Sequence, residues 1–172
     1  MMKLLKQITH GEPFESDEKK YHSSRVVLLD EDNKVALMYV AKVKFYTLPG
    51  GQINENETAE QAAVREIKEE TGCDCEIIMH LGLIEESSKV CSWNGTSSCY
   101  IARVTGEKDT PNLEQYEIED GYQLQWQDLH EALKNITNQE IKARDEREAG
   151  IGIIIQKRDI AMLDEAIKII YV

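Results

Sequence analysis

Glu66, Glu69 and Glu70 are the residues whose type and spacing could carry chemistry. They stand at i, i+3 and i+4 of a segment with helical period and so share one helix face. Like charges at that spacing destabilise a bare helix by about 0.2–0.5 kcal/mol per pair, and a divalent cation held among them removes the penalty. Carboxylates without an accompanying His or Cys are hard oxygen donors. They suit Mg²⁺, with Mn²⁺ as a substitute, better than zinc. If the ligand of such a site is anionic, the cation must mediate. An acidic face is also what simple solvation gives in a chain with a formal charge of -12, so the acids alone leave both readings open.

The elements that must position these acids are legible around them. Thr58 can act as N-cap, Gln61 completes a capping box, and Gly72 is placed as the C′ stop, so a helix is expected over 59–71. Before it, 44–48 reads as a short extended piece halted by Pro49, Gly50 and Gly51. Proline fixes φ and the glycines admit backbone shapes other residues resist, so the chain turns just ahead of the acids. Segments 24–29 and 34–40 read as a hairpin about the turn formers Asp30 to Asn33. Downstream, 76–84 and 97–105 read as strands, with the polar 87–96 as their loop. Tyr122, Leu124 and Trp126 alternate with glutamines as in a half-buried strand, and Asp128 can cap a helix running through 133–136. A last amphipathic helix over 157–170 carries Ile160, Leu163, Ile167 and Ile170 on one stripe, which would serve either the core or a homodimer. Strands, helix, strands, helices imply an α/β (α+β) fold with a mixed central sheet covered on both faces. The 172 residues fit a single domain, with a C-terminal helical segment over 139–172.

The full register is more specific than the acids. Gly51, Glu57, Arg65, Glu66, Ile67, Glu69, Glu70, Gly72 and Cys73 fall at the spacing GX5EX7REUXEEXGU, which resembles the Nudix box of the Nudix hydrolases. Seven fixed letters at about one in fifteen each make a chance match on the order of 10⁻⁸ per starting position. Cys73 departs from the aliphatic final position, a change of packing more than of chemistry. The resemblance implies the family's α/β/α sandwich and hydrolysis of a phosphoanhydride in a nucleoside diphosphate linked to another group. By that resemblance Glu66, Glu69 and Glu70 match metal-binding carboxylates, and the backbone carbonyl of Gly50 matches a further ligand. Arg65 matches the arginine that pairs with the box glutamate, here Glu57, and holds loop against helix. The general base varies within the family: here it is either Glu66 or an acid outside the box. Glu114, Glu117 and Glu119, ahead of the Trp126 strand, are the candidates for an outer base or ligand, or are solvated loop acids. Phe45 and Tyr46 precede the box on opposite strand faces, so one can stack on a base, with core packing as the alternative. Some subgroups carry a proline or tyrosine beyond the box; residues 88–91 hold neither, so the substrate is not named.

Composition sets the outer bounds. The hydrophobic share of 41% and charged share of 30% suit a globular chain. With 32 acidic against 20 basic residues and no basic run, a nucleic-acid polymer is not an expected partner. No apolar stretch is long enough to span a bilayer, and the first residues lack a signal-peptide pattern, so the expected location is the cytoplasm. The four cysteines have no zinc spacing and are expected as reduced, mostly buried thiols. Trp93 is expected as a lid or a surface residue and Trp126 in the core; Arg25 or Arg103 could touch a substrate phosphate, with an exposed strand arginine as the default. The expected activity is that of a metal-dependent nucleotide pyrophosphatase on a small nucleotide-like diphosphate. A nucleotide-sensing or partner-binding module is the alternative from another class, and an isomerase of a diphosphate ester a third reading.

Overall fold

The computed structural model describes residues 3–14 and 20–171. In chain order its elements are β1 (Leu4–Thr9), β2 (Tyr21–Leu29), β3 (Val35–Val40), β4 (Phe45–Thr47), β5 (Gly50–Gln52), α1 (Ala59–Thr71), β6 (Asp74–Ser88), β7 (Trp93–Thr105), α2 (Gln115–Asp120), β8 (Tyr122–Gln127), α3 (Leu129–Asn138) and α4 (Glu146–Ile170). Among the described residues the strands form one mixed eight-stranded sheet.

Strand β2 is its axis. One edge of β2 runs parallel to β7 from Tyr21↔Gly95 to Leu29↔Arg103. Its other edge pairs antiparallel with β5 at Ser23–Arg25 and meets β3 at Leu29↔Val35. The Pro-Gly-Gly turn therefore lies directly against β2, and Val26 N–H donates to the Pro49 carbonyl at 3.0 Å. Alternation along β2 sends Val26 and Leu28 to one face and Val27 and Leu29 to the other. Helix α1 covers the first face, packing Ala63 and Ile67 on Val26, Leu28, Ala36 and Ala102. Helices α3 and α4 cover the second through Leu129, Ile136, Ile154, Met162 and Leu163. This is the expected α/β/α sandwich.

Several elements extend or add to the sequence reading. The expected loop over 87–96 is mostly strand, because β6 and β7 stay paired as far as Ser88↔Trp93. Its polar groups satisfy one another: buried Glu86 accepts from Trp93 Nε1 at 3.1 Å and from Ser97 Oγ at 3.0 Å. Trp93 is thus half-buried and not a free surface residue, and its ring also lies 4.9 Å from that of Tyr21. Helix α4 begins at Glu146 under an Asp145 cap, well before 157, and its early turns contain Gly150 and Gly152. Glycine weakens a helical signal, yet here it permits close packing: a Cβ on Gly152 would lie 2.8 Å from Ile141 Cγ2. The α4 stripe serves the core, with Leu163 buried and Ile160, Ile167 and Ile170 half-buried against it. Strand β1 and the six-residue α2 carry too short a pattern to be read. No helix among the described residues is long and apolar enough to cross a membrane.

Ile67 joins the acidic helix to the sheet. Ile67→Ala should cost about 2–5 kcal/mol in denaturant unfolding, whereas Val64→Ala, at a position 39% exposed on the same helix, should stay within about 0.5 kcal/mol. Equal effects at the two positions would contradict the packing of this face.

Candidate functional site

The helix that carries the acids has the ends read from sequence. Gln61 N–H donates to Thr58 Oγ1 at 3.1 Å and Thr58 N–H to Gln61 Oε1 at 2.8 Å, while Gly72 takes a left-handed φ of 72° as the cap. Ser24 Oγ on β2 donates to the Ala59 carbonyl, fixing the first turn of α1 over the sheet.

The consecutive glycines of the turn receive two of the three acids. A Cβ on Gly51 would lie 2.3 Å from Glu66 Oε1, so only glycine lets that carboxylate lie against the turn. Gly50, at φ 136°, sits against the Ser24 carbonyl and donates its N–H to Glu70 Oε2 at 2.7 Å. Glu70 is buried, and Glu66 and Glu69 are half-buried.

Arginines stand over these carboxylates. Arg65 makes a fork to Glu57 through Nε (3.1 Å) and Nη2 (2.7 Å), and Nη2 also reaches the Gln52 carbonyl at 3.0 Å. Its Nη1 donates to Glu66 Oε1 at 2.7 Å and to Glu69 Oε2 at 3.1 Å. The structure therefore contains the Arg65 and Glu57 clamp and extends it to two helix acids. Arg25 corrects the expectation of an exposed strand arginine. Its Nη1 donates to the Gly50 carbonyl, and its Nε is buried without a partner. Nothing in the local sequence marks Arg25 as inward-facing; its pairing opposite Gly50 in the β2–β5 ladder does.

The outer acids separate. Glu114 precedes α2 and Glu119 pairs with Gln115 Nε2 at 3.0 Å on the surface. Glu117 is only 3% exposed. It accepts from Glu114 N–H at 2.7 Å and from Tyr116 Oη at 3.3 Å, and its charge is felt by Glu70. These acids lie at and within a short helix rather than in the expected loop.

Burial decides the electrostatics. It pushes the Glu70 carboxyl well above the usual carboxylate range, against the pull of Arg25 and the Gly50 N–H. Glu66 is pushed up for the same reason, opposed by Arg65. Hydrogen bonds from Arg65 hold Glu57 low. Burial lowers Arg25, aided by the charge of Arg158. Tyr122 rises to about 12 through burial and then through the charges of Glu70 and Glu117.

Among the described residues no three His, Cys, Asp or Glu side chains stand ready as a metal-holding group. In their present arrangement Arg25 and Arg65 supply the countercharge. The donors nonetheless fit a hard cation: all are oxygens, Glu70 is buried against its ionisation, and the second oxygens of Glu66 and Glu70 take no part in the bonds described above. The Gly50 carbonyl, expected as a ligand, is engaged by Arg25.

Beside Tyr122 a cavity of about 560 Å³ opens between β4, β8 and the start of α4. Phe45, Ile151 and Ile155 line it with Lys142 and Arg144. Tyr46 faces the other way, with its ring 4.8 Å from Tyr39 and its hydroxyl 3.3 Å from Gln125 Oε1. Of the expected aromatic pair, Phe45 is the one that lines this cavity, though it is itself only 8% exposed.

Residues 20–146 match the family model of the NUDIX domain. The chain is 39% identical over 62 residues to an 8-oxo-dGTP diphosphatase of Proteus vulgaris, covering 34% of this chain and 55% of that protein. It is 34% identical over 82 residues to an ADP-ribose pyrophosphatase of Methanocaldococcus jannaschii, covering 46% of this chain and 48% of that protein. The chain thus spans about half the length of these curated relatives. In fold it is similar to a NUDIX hydrolase from Nitrosomonas europaea, with a TM-score of 0.59 at 16% identity over 78% of this chain and 88% of that one.

Glu66 and Glu70 each have a folded-state pKa above the unfolded one, so the folded chain binds more protons between the two values. Their contribution to stability is therefore lost as pH rises from the ordinary carboxylate range through the folded pKa. Without divalent metal, Glu70→Gln should melt higher than the parent at pH 7, by about 2–4 °C for each kcal/mol relieved. The gap should close as pH falls below the ordinary carboxylate range. Equal or lower melting of the variant at pH 7 would refute the burial effect.

Proposed function

Because the chain belongs to the NUDIX domain family, we propose that it is a metal-dependent pyrophosphohydrolase. Its substrate is a nucleoside triphosphate or a nucleoside diphosphate linked to another moiety, and its product a nucleoside monophosphate. The observation that carries this reading is the seating of Glu66 on Gly51 and of Glu70 on the Gly50 N–H, directly against the turn. The named activities of the two relatives share cleavage of a phosphoanhydride and differ in the group attached. That agrees with a site whose acids define the bond and not the substituent.

Glu66, Glu69 and Glu70 would hold Mg²⁺, or Mn²⁺, with Glu117 as the outer acid. When bound, the ion supplies positive charge against the phosphate oxygens and favours formation of a nucleophile from water. Glu66 is the general base in this reading: oriented by Arg65, it would take the proton of the attacking water on the oxygen that the ion leaves free. Its raised pKa brings it closer to the operating pH, where a base is most effective. Arg65 and Glu57 orient that carboxylate and do not titrate with it. Phe45 and Tyr122 flank the cavity in which the organic part of the substrate would stack.

A phosphate-release screen with Mg²⁺ or Mn²⁺ over nucleoside triphosphates, nucleotide sugars, ADP-ribose, dinucleoside polyphosphates and isoprenoid diphosphates tests this. A metal-dependent hit is expected, reduced about 10²-fold or more by Glu66→Gln. Tight nucleotide binding in calorimetry with no product from any substrate would instead favour a binding module. Millimolar Mg²⁺ should also raise the melting temperature of the parent by mass action, and much less that of Glu70→Gln.

A further inference from the structure

The turn that seats the acids is gripped a second time, from the α4 side of the sheet. Asp159, 0% exposed, turns Oδ2 toward β4: Leu48 N–H donates to it at 3.0 Å and Thr47 Oγ1 at 2.8 Å. Its Oδ1 accepts from Arg158 Nε at 2.8 Å. Arg158, 2% exposed, also places Nη1 3.9 Å from buried Glu86. An ion pair this deep is costly to desolvate, and apolar residues of similar volume often serve stability as well or better. Stability therefore does not account for it.

The backbone of the turn supplies the reason. Pro49 has no N–H, so Leu48 and Gly50 hold the amides that can anchor it from either side. Asp159 takes the first from the α4 side and Glu70 takes the second from the α1 side. One carboxylate in each helical layer thus clamps the segment whose glycines seat Glu66 and Glu70. Asp159 lies outside residues 20–146, which match the family model.

We propose that Asp159 is a positioning residue for the acidic centre: by holding Leu48 it sets, through Pro49, where the Gly50 amide meets Glu70 and where its carbonyl meets Arg25. Its consequence for turnover rests on the hydrolase reading above; its hold on the turn does not.

Two double variants isolate the acceptor, since both remove the ion pair. Arg158→Met with Asp159→Leu removes the oxygen facing Leu48, and Arg158→Met with Asp159→Asn keeps one. If the core rejects leucine, Arg158→Met with Asp159→Ala makes the same comparison. In the leucine variant, amide exchange at Leu48 and Gly50 should quicken, and Mn²⁺ affinity measured by electron paramagnetic resonance without substrate should fall about tenfold or more. Its kcat should fall similarly, with less change in KM, as expected for a displaced centre. The asparagine variant should recover most of these losses. Folded variants alike in Gly50 exchange would overturn the proposal, and so would unaltered Mn²⁺ affinity and kcat in the leucine variant. A wild-type chain with neither Mn²⁺ binding nor turnover refutes the hydrolase reading instead; Gly50 exchange then still decides whether Asp159 holds the turn.

Discussion

A buried carboxylate held by one backbone amide constrains the rest of this molecule. Glu70 can accept the Gly50 N–H only if α1 lies close over β5, which requires small residues in the turn and an apolar seat for the helix. Ala63 and Ile67 provide that seat on β2, and Ser24 fastens the first turn of the helix to the same strand. Each acid is thus placed by its partners on the sheet more than by its own helix.

The charge balance follows from that burial. A lone ionised carboxylate out of water is costly. Arg25 and Arg65 answer this in different ways. Arg65 is half-exposed and makes a fork to Glu57, so it is a stable strut that also reaches Glu66 and Glu69. Arg25 is tucked against Gly50 and has an unpartnered Nε, so it balances Glu70 by proximity at some cost to its own solvation. A cation entering the cluster would meet acids already partly neutralised and a carbonyl already engaged. Such binding would require rearrangement of arginine contacts as well as addition of charge.

Much of this was legible in sequence because local rules governed it. Thr58, Gln61 and Gly72 announce the ends of α1, and Pro49, Gly50 and Gly51 announce the turn, since caps and turns depend on residues close in the chain. The acids were legible through spacing. Arg25, Glu117 and Asp159 were not, because their roles come from partners on other elements. Arg25 looks like any strand arginine until β5 is laid beside it. Glu117 gains its place when six residues of an acidic stretch coil into α2. Asp159 gains its place when α4 crosses the sheet, and two glycines hid the start of that helix. The β6–β7 turn was misread for a related reason: polarity marks a loop only when water satisfies the polar groups, and here Glu86, Trp93 and Ser97 satisfy one another.

Burial holds the Glu70 carboxyl above the ordinary carboxylate range even with Arg25 and the Gly50 N–H beside it. The most direct test is a pH titration of the Glu70 side-chain carboxyl by carbon NMR, with and without Mg²⁺, assigned through Glu70→Gln. In metal-free protein it should titrate well above the ordinary carboxylate range, and in saturating Mg²⁺ its midpoint should drop sharply. A midpoint in the ordinary range without metal, or one that Mg²⁺ leaves unmoved, would contradict the role of Glu70 as the buried acid of the site.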